Sequence, residues 1–144
     1  MTHARSDRTR VSVVSTEEVL NNVYAEALCR NGYYAVGCDV IRGGKWNVRE
    51  AFEDIRAFQP QFALLFHNLR FTKEMTGVDL ALALFEGLPK TRFIVGRLGD
   101  SYCVSEETLQ EARNRGYEFD TFLIAPDGDN LLAMLERQTA LLPN

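Results

Sequence analysis

Apolar residues gather in short strand-like runs that alternate with segments of helical period along the chain. Arg10–Ser15 is short and β-branched, which predicts a first strand of buried character. Ser15 followed by Glu18 has the spacing of a capping box, so a helix is expected to start there with Ser15 as its N-cap. Its inner face is expected to repeat Val19, Leu20, Val23, Tyr24, Ala27 and Leu28, and Asn31-Gly32 to end it. Tyr33–Val40 reads as a second strand. After the loop Arg42-Gly43-Gly44-Lys45-Trp46, Asn47 and Glu50 set a second cap. Val48, Ala51, Phe52, Ile55 and Phe58 then form the stripe of helix two, which Pro60 stops.

Phe62–Phe66 is apolar at every position, as in a central parallel strand covered on both faces. A long loop over His67–Thr76 precedes helix three, Gly77–Gly87. Phe93–Val95 forms the core of strand four, Ser105–Arg115 helix four and Thr121–Ala125 strand five. Asp127 is expected to cap a last helix that reaches Leu141. Strand–helix alternation of this kind implies a parallel sheet with right-handed crossovers. The expected fold is α/β: a flavodoxin-like, three-layer (βα)5 sandwich with a five-stranded sheet in the order 2-1-3-4-5. Residues 1–9, carrying Arg5 and Arg8, are expected to be a disordered basic tail before a single domain of residues 10–144.

Composition narrows the function classes. With 144 residues and 46% of them hydrophobic, the chain can bury a core without a metal or disulfide. A net charge of −4 argues against a nucleic-acid-binding surface. Cys29, Cys38 and Cys103 lack metal-ligand spacing and read as free thiols in a reducing compartment. No apolar run approaches the roughly 20 residues that span a bilayer, and the first ten residues lack the apolar core of a signal peptide. The expected location is cytoplasmic, with neither membrane nor nucleic acid as a partner.

The segment Glu111–Pro126 places Ala112, Gly116 and Pro126 in a frame that resembles the closing segment of response-regulator receiver domains. In that family a helix ends in Ala-x-x-x-Gly, and the strand that follows closes on Lys-Pro. The β1–α1 junction after Val13-Val14, Gly32, Pro60 and Gly77 fit the same frame, so the resemblance spans Arg10 to Leu141. It implies a receiver-like fold with a changed site. The family's acidic, Mg²⁺-holding pair falls on Ser15 and Thr16. Its phosphoacceptor aspartate falls on Phe66, or on His67 if the register moves by one. Its strand-four hydroxyl falls on Gly96 and its lysine on Ala125. Two hydroxyls are poor ligands for a hard dication. The resemblance therefore implies a degenerate pseudo-receiver, not an enzyme, with no cofactor and no Mg²⁺-dependent phosphorylation.

Individual residues carry competing readings. Ser15 and Thr16 fit a helix cap better than a phosphate loop, because Glu17 and Glu18 would repel a phosphate. His67, at the sheet edge where α/β proteins bind ligands, suits a structural role better than a phosphoryl acceptor or base. Arg42, Lys45, Arg70, Lys73 and Arg97 follow strands two, three and four and are candidates to hold an anion such as a nucleotide or phosphate; solvated loop charge is the plainer reading. Trp46 suits a ligand platform or a lid equally. Helix three is apolar almost all round, so Val78, Leu80, Leu82, Leu84 and Phe85 are expected to form a dimer or partner interface. The strand-five edge at Phe122 is a second candidate interface, although Phe122 itself, matching the aromatic that receivers rotate, is expected to be a packing residue.

The leading functional expectation is a stand-alone pseudo-receiver that acts by protein contact, with a protein partner or as a homodimer, in bacterial signal transduction. The alternative is a sensor that binds an anionic small molecule at the C-terminal edge of the sheet. A small flavodoxin-like enzyme using His67 or Cys103 ranks last, since no neighbour of Cys103 in sequence lowers its pKa.

Overall fold

Three buried strands flanked by two half-exposed ones build the centre of the molecule, and their register follows from which residues water must not reach. The computed structural model describes residues 8–65, 80–123 and 129–141. Strand β1 (Arg10–Ser15) is buried from Val11 onward. It pairs in parallel with β2 (Tyr34–Asp39) on one side and with β5 (Phe62–Leu65) on the other. Strand β6 (Arg92–Leu98) continues the sheet in parallel beside β5, and β8 (Phe119–Leu123) closes it beside β6. The five parallel strands thus stand in the flavodoxin-like order that the alternation predicts.

Among the described residues five helices cover the two faces: α1 (Glu18–Arg30), α2 (Val48–Phe58), α3 (Leu80–Gly87), α4 (Glu106–Asn114) and α5 (Asp129–Ala140). Alternating strand residues feed two separate cores. Val14, Ala63, Leu65, Phe93 and Val95 pack with Ala51, Ile55, Leu84 and Leu109 under α2, α3 and α4. Val11, Val13, Phe62, Leu64 and Ile94 pack with Leu28, Leu131 and Leu135 under α1 and α5. No helix among the described residues is long and apolar enough to cross a membrane.

Three strand features depart from the sequence expectation. The loop after β2 is a hairpin of β3 (Ile41–Arg42) and β4 (Lys45–Trp46), closed by Gly43 and Gly44 at φ 61° and 78°. Such backbone favours glycine, and Gly-Gly between short runs is a hairpin signal. Strand β6 runs on beyond Val95 and folds back through Gly99 into β7 (Ser101–Tyr102), which pairs with it antiparallel. Strand five begins at Phe119, two residues before its expected start, while Ala125, Pro126 and Asp127 lie outside the described residues.

Helix α1 turns a different face inward. Its buried positions are Asn21, Ala25 and Leu28, whereas Val19 is 74% and Val23 53% exposed. Ser15 is not its cap: the N-cap is Glu17, which makes no side-chain cap bond. The second helix follows its expected cap, with Asn47 Oδ1 accepting from the Glu50 N–H, and the fourth is capped by Ser105 Oγ accepting from that of Thr108.

Helix α3 also corrects an expectation. Leu84 and Phe85 are buried, with Phe85 tilted against Phe93 at a ring-centroid distance of 4.5 Å and stacked near Tyr117 at 5.9 Å. They fill a core and cannot form an exposed interface. The same holds for Phe122, buried in the opposite core. Leu82 is half-buried; Val78 lies outside the described residues, and of Leu80 only the backbone is described. The apolar character of this helix is explained by packing on two sides, against α2 and α4 as well as the sheet. Replacing Phe85 with Ala is expected to lower unfolding free energy by about 3–5 kcal/mol in urea titration. A loss under about 1 kcal/mol would place this ring outside the core.

Candidate functional site

In a parallel α/β sheet the C-terminal strand ends collect the loops that bind ligands. Here that edge is reached by Ser15 on β1, Asp39 on β2, Gly96 on β6 and Leu123 on β8. Phe66, His67, Arg70, Lys73 and Ala125, all named as candidates from sequence, lie outside the described residues.

At the β1 end, Ser15 is fully buried and bound within the chain. Its hydroxyl donates to Asn21 Oδ1 at 2.7 Å, and its oxygen accepts the Glu17 N–H at 3.1 Å. Asn21, also fully buried, donates from Nδ2 to Asp39 Oδ1 at 2.7 Å and to the Cys38 carbonyl at 3.0 Å. Nδ2 also lies 3.4 Å from the Ser15 carbonyl. A buried amide of this kind must be satisfied, and this one ties β1, α1 and β2 together. The close approach explains Gly37: a Cβ there would lie 3.0 Å from Asn21 Cβ and 3.2 Å from its carbonyl carbon. Thr16 is half-buried beside this network. Sequence reading missed Asn21, because a lone asparagine beside Asn22 on an expected amphipathic helix carries no signal of burial.

At the β6 end, Gly96 pairs across to Phe122 of β8. On its other side the Gly96 carbonyl accepts the Cys103 N–H at 2.9 Å. Arg97 likewise pairs with Leu123 of β8 and with Tyr102 of β7. A strand has two hydrogen-bonding edges, so β7 lies on the β5 side of β6, in the lane beyond Leu65. The backbone of 101–103 therefore fills the space next to Gly96.

The basic candidates among the described residues, Arg42, Lys45 and Arg97, form no common site. Arg42 forms ion pairs with Glu50 at 2.6 Å and Asp54 at 2.8 Å, and its Nε donates to the Asp39 carbonyl. Although burial works against its charge, hydrogen bonds to Asp54 and Glu50 hold the guanidinium pKa above its usual value. Arg97 donates to the Gly99 carbonyl at 2.8 Å, and Lys45 is exposed at the hairpin tip. Cys38 lies beneath Arg42, where burial pushes its thiol up to about 11. Among the described residues no group of three His, Cys, Asp or Glu side chains could hold a metal ion. A cleft of about 600 Å³ opens at the opposite, N-terminal edge of the sheet, between Lys90, Arg92, Tyr117 and Phe119.

The chain matches no family model and no curated protein sequence. Its fold is nevertheless that of solved receiver domains. The chemotaxis protein CheY4 of Vibrio cholerae is 17% identical, with a TM-score of 0.61 over 90% of this chain and 98% of its own. The beryllofluoride-activated NtrC receiver domain is 18% identical, with a TM-score of 0.58 over 96% of this chain and 99% of its own. A TIR domain heterodimer of RPS4 and RRS1 is similar too, at 17% identity and a TM-score of 0.54 over 93% and 96% of the two chains. These likenesses define a receiver-like α/β fold. The fold alone does not select a function, since the same architecture carries many.

The Asn21 network has a direct consequence for stability. Asn21→Leu removes the buried amide that accepts from the Ser15 hydroxyl and donates to Asp39 Oδ1 and the Cys38 carbonyl. It is expected to cost roughly 2–4 kcal/mol in urea unfolding, the penalty of losing more than one buried hydrogen bond. A change within about 0.5 kcal/mol would mean that the network is not formed.

Proposed function

We propose that this protein is a receiver-like signalling module that works by protein contact and has no Mg²⁺-dependent phosphoryl transfer. The observation that carries this reading is the pairing of Gly96 on both edges. The resemblance puts the family's strand-four hydroxyl at Gly96, which has no side chain, and the backbone of Cys103 occupies the adjoining lane. The resemblance also puts one of the family's Mg²⁺ ligands at Ser15. Its single oxygen is buried and bound to Asn21 and Glu17, so the donor set present there does not fit a hard dication.

Contact with a protein partner is supported by α1 more than by α3. Val19 and Val23, one helical turn apart, are both mainly exposed on α1. The sensor reading has less support, because Arg42 and Arg97 already bind groups of their own chain.

Incubation with acetyl phosphate and Mg²⁺ followed by intact-mass measurement tests the proposal. The expected spectrum has no phosphorylated species. A phosphoryl adduct that requires Mg²⁺ and is removed by hydroxylamine would mark a working acyl-phosphate site and overturn it.

A further inference from the structure

Hairpin β3–β4 leaves the sheet after Val40 and returns at Asn47. Its base is fixed, since the buried Val40 donates its N–H to the Ser15 carbonyl at 3.2 Å and accepts that of Asn47 at 2.8 Å. Beyond the base there are only two residue pairs, Ile41 with Trp46 and Arg42 with Lys45. A ladder that short does not hold itself together in water.

Arg42 supplies the attachment. Its Nη1 reaches Glu50 and Asp54, both on α2, and its Nε donates to the Asp39 carbonyl at 2.8 Å. Nη2 lies 3.6 Å from the Cys38 sulfur. Cys38 is buried, with its thiol directed to the Ala51 carbonyl at 3.7 Å. The guanidinium therefore stands between this sulfur and two carboxylates whose side chains are 56% and 59% exposed.

We infer that the β3–β4 hairpin is an ionic strap, closed on α2 by Arg42, whose release uncovers Cys38 while the sheet stays folded. Ion pairs to carboxylates this exposed contribute modestly and weaken as salt screens them. A small unit held by a two-pair ladder and exposed ion pairs opens locally at lower cost than the domain unfolds. Cys38 then meets solvent through a motion that leaves the sheet and the opposite core in place.

The other two cysteines make the inference testable in the intact chain. Cys29 is exposed, and Cys103 is buried in the opposite core, so they report full access and global unfolding respectively. The experiment is alkylation with iodoacetamide at fixed pH, each cysteine followed by peptide mass spectrometry, in wild type, Asp54→Asn and Arg42→Gln. Asp54→Asn leaves the guanidinium over the sulfur and removes only a charge that holds it. Cys38 is expected to label about fivefold faster in Asp54→Asn, faster still in Arg42→Gln, and faster in wild type as sodium chloride is raised. Cys103 is expected to keep its wild-type rate throughout. Parallel acceleration of Cys38 and Cys103 would assign exposure to global unfolding and overturn the inference. An unchanged Cys38 rate in Asp54→Asn would do the same, whether or not Arg42→Gln accelerates it, because Arg42 would then be a plug over the sulfur and not an ionic closure.

Discussion

Strand β6 has two hydrogen-bonding edges, and at Gly96 and Arg97 both are filled: β8 takes one and the β7 turn-back takes the other. That pairing governs what the C-terminal edge of the sheet can be. A parallel sheet normally leaves its strand ends free to send loops outward, and ligands bind where those loops part. Here the chain returns on itself at Gly99, places Cys103 beside Gly96, and only then enters α4. The second constraint lies at the other strand ends, where Asn21 joins β1, α1 and β2 through buried hydrogen bonds. Both arrangements use protein groups to satisfy protein groups. Those internal pairings support the proposed reading, in which the domain acts through its surfaces.

The layers of the fold were legible because they depend on periodicity. Phe62–Leu65, apolar throughout, could only be a strand buried on both faces, and it lies between β1 and β6. The cap at Asn47 was equally plain, since a side chain accepting an N–H three residues on needs only local sequence. The cap expected at Ser15 failed because a tertiary partner took its hydroxyl: Asn21, on the helix that Ser15 was to cap. The expected inward face of α1 held at Leu28 and Tyr24 and failed at Val19 and Val23. Val19 and Val23 fit an apolar stripe, but the close contact between Asn21 and Gly37 rotates that stripe toward solvent. Periodicity identifies an amphipathic helix and leaves its rotation to be set by packing.

The site was less legible than the fold for a related reason. Family resemblance fixed positions such as Ser15 and Gly96, but not what the protein does with them. A glycine in a strand reads as a loss of side chain; only the register shows its carbonyl accepting from Cys103 on one side while Phe122 pairs on the other. The hairpins had signals, Gly43-Gly44 and Gly99-Asp100, which were overshadowed by the stronger strand–helix alternation around them. The apolar α3 misled in the opposite direction. Surplus hydrophobicity suggested a partner, whereas Leu84 and Phe85 meet neighbouring helices and the sheet.

The most direct test of the closed edge is an amide NMR titration with Mg²⁺ and beryllofluoride, which together mimic a phosphorylated carboxylate. A closed edge predicts that the amide resonances of Ser15, Asn21, Gly96, Cys103 and Phe122 stay in place throughout the titration. Saturable, Mg²⁺-dependent shifts centred on those residues would show an open acceptor site and contradict the scaffold reading.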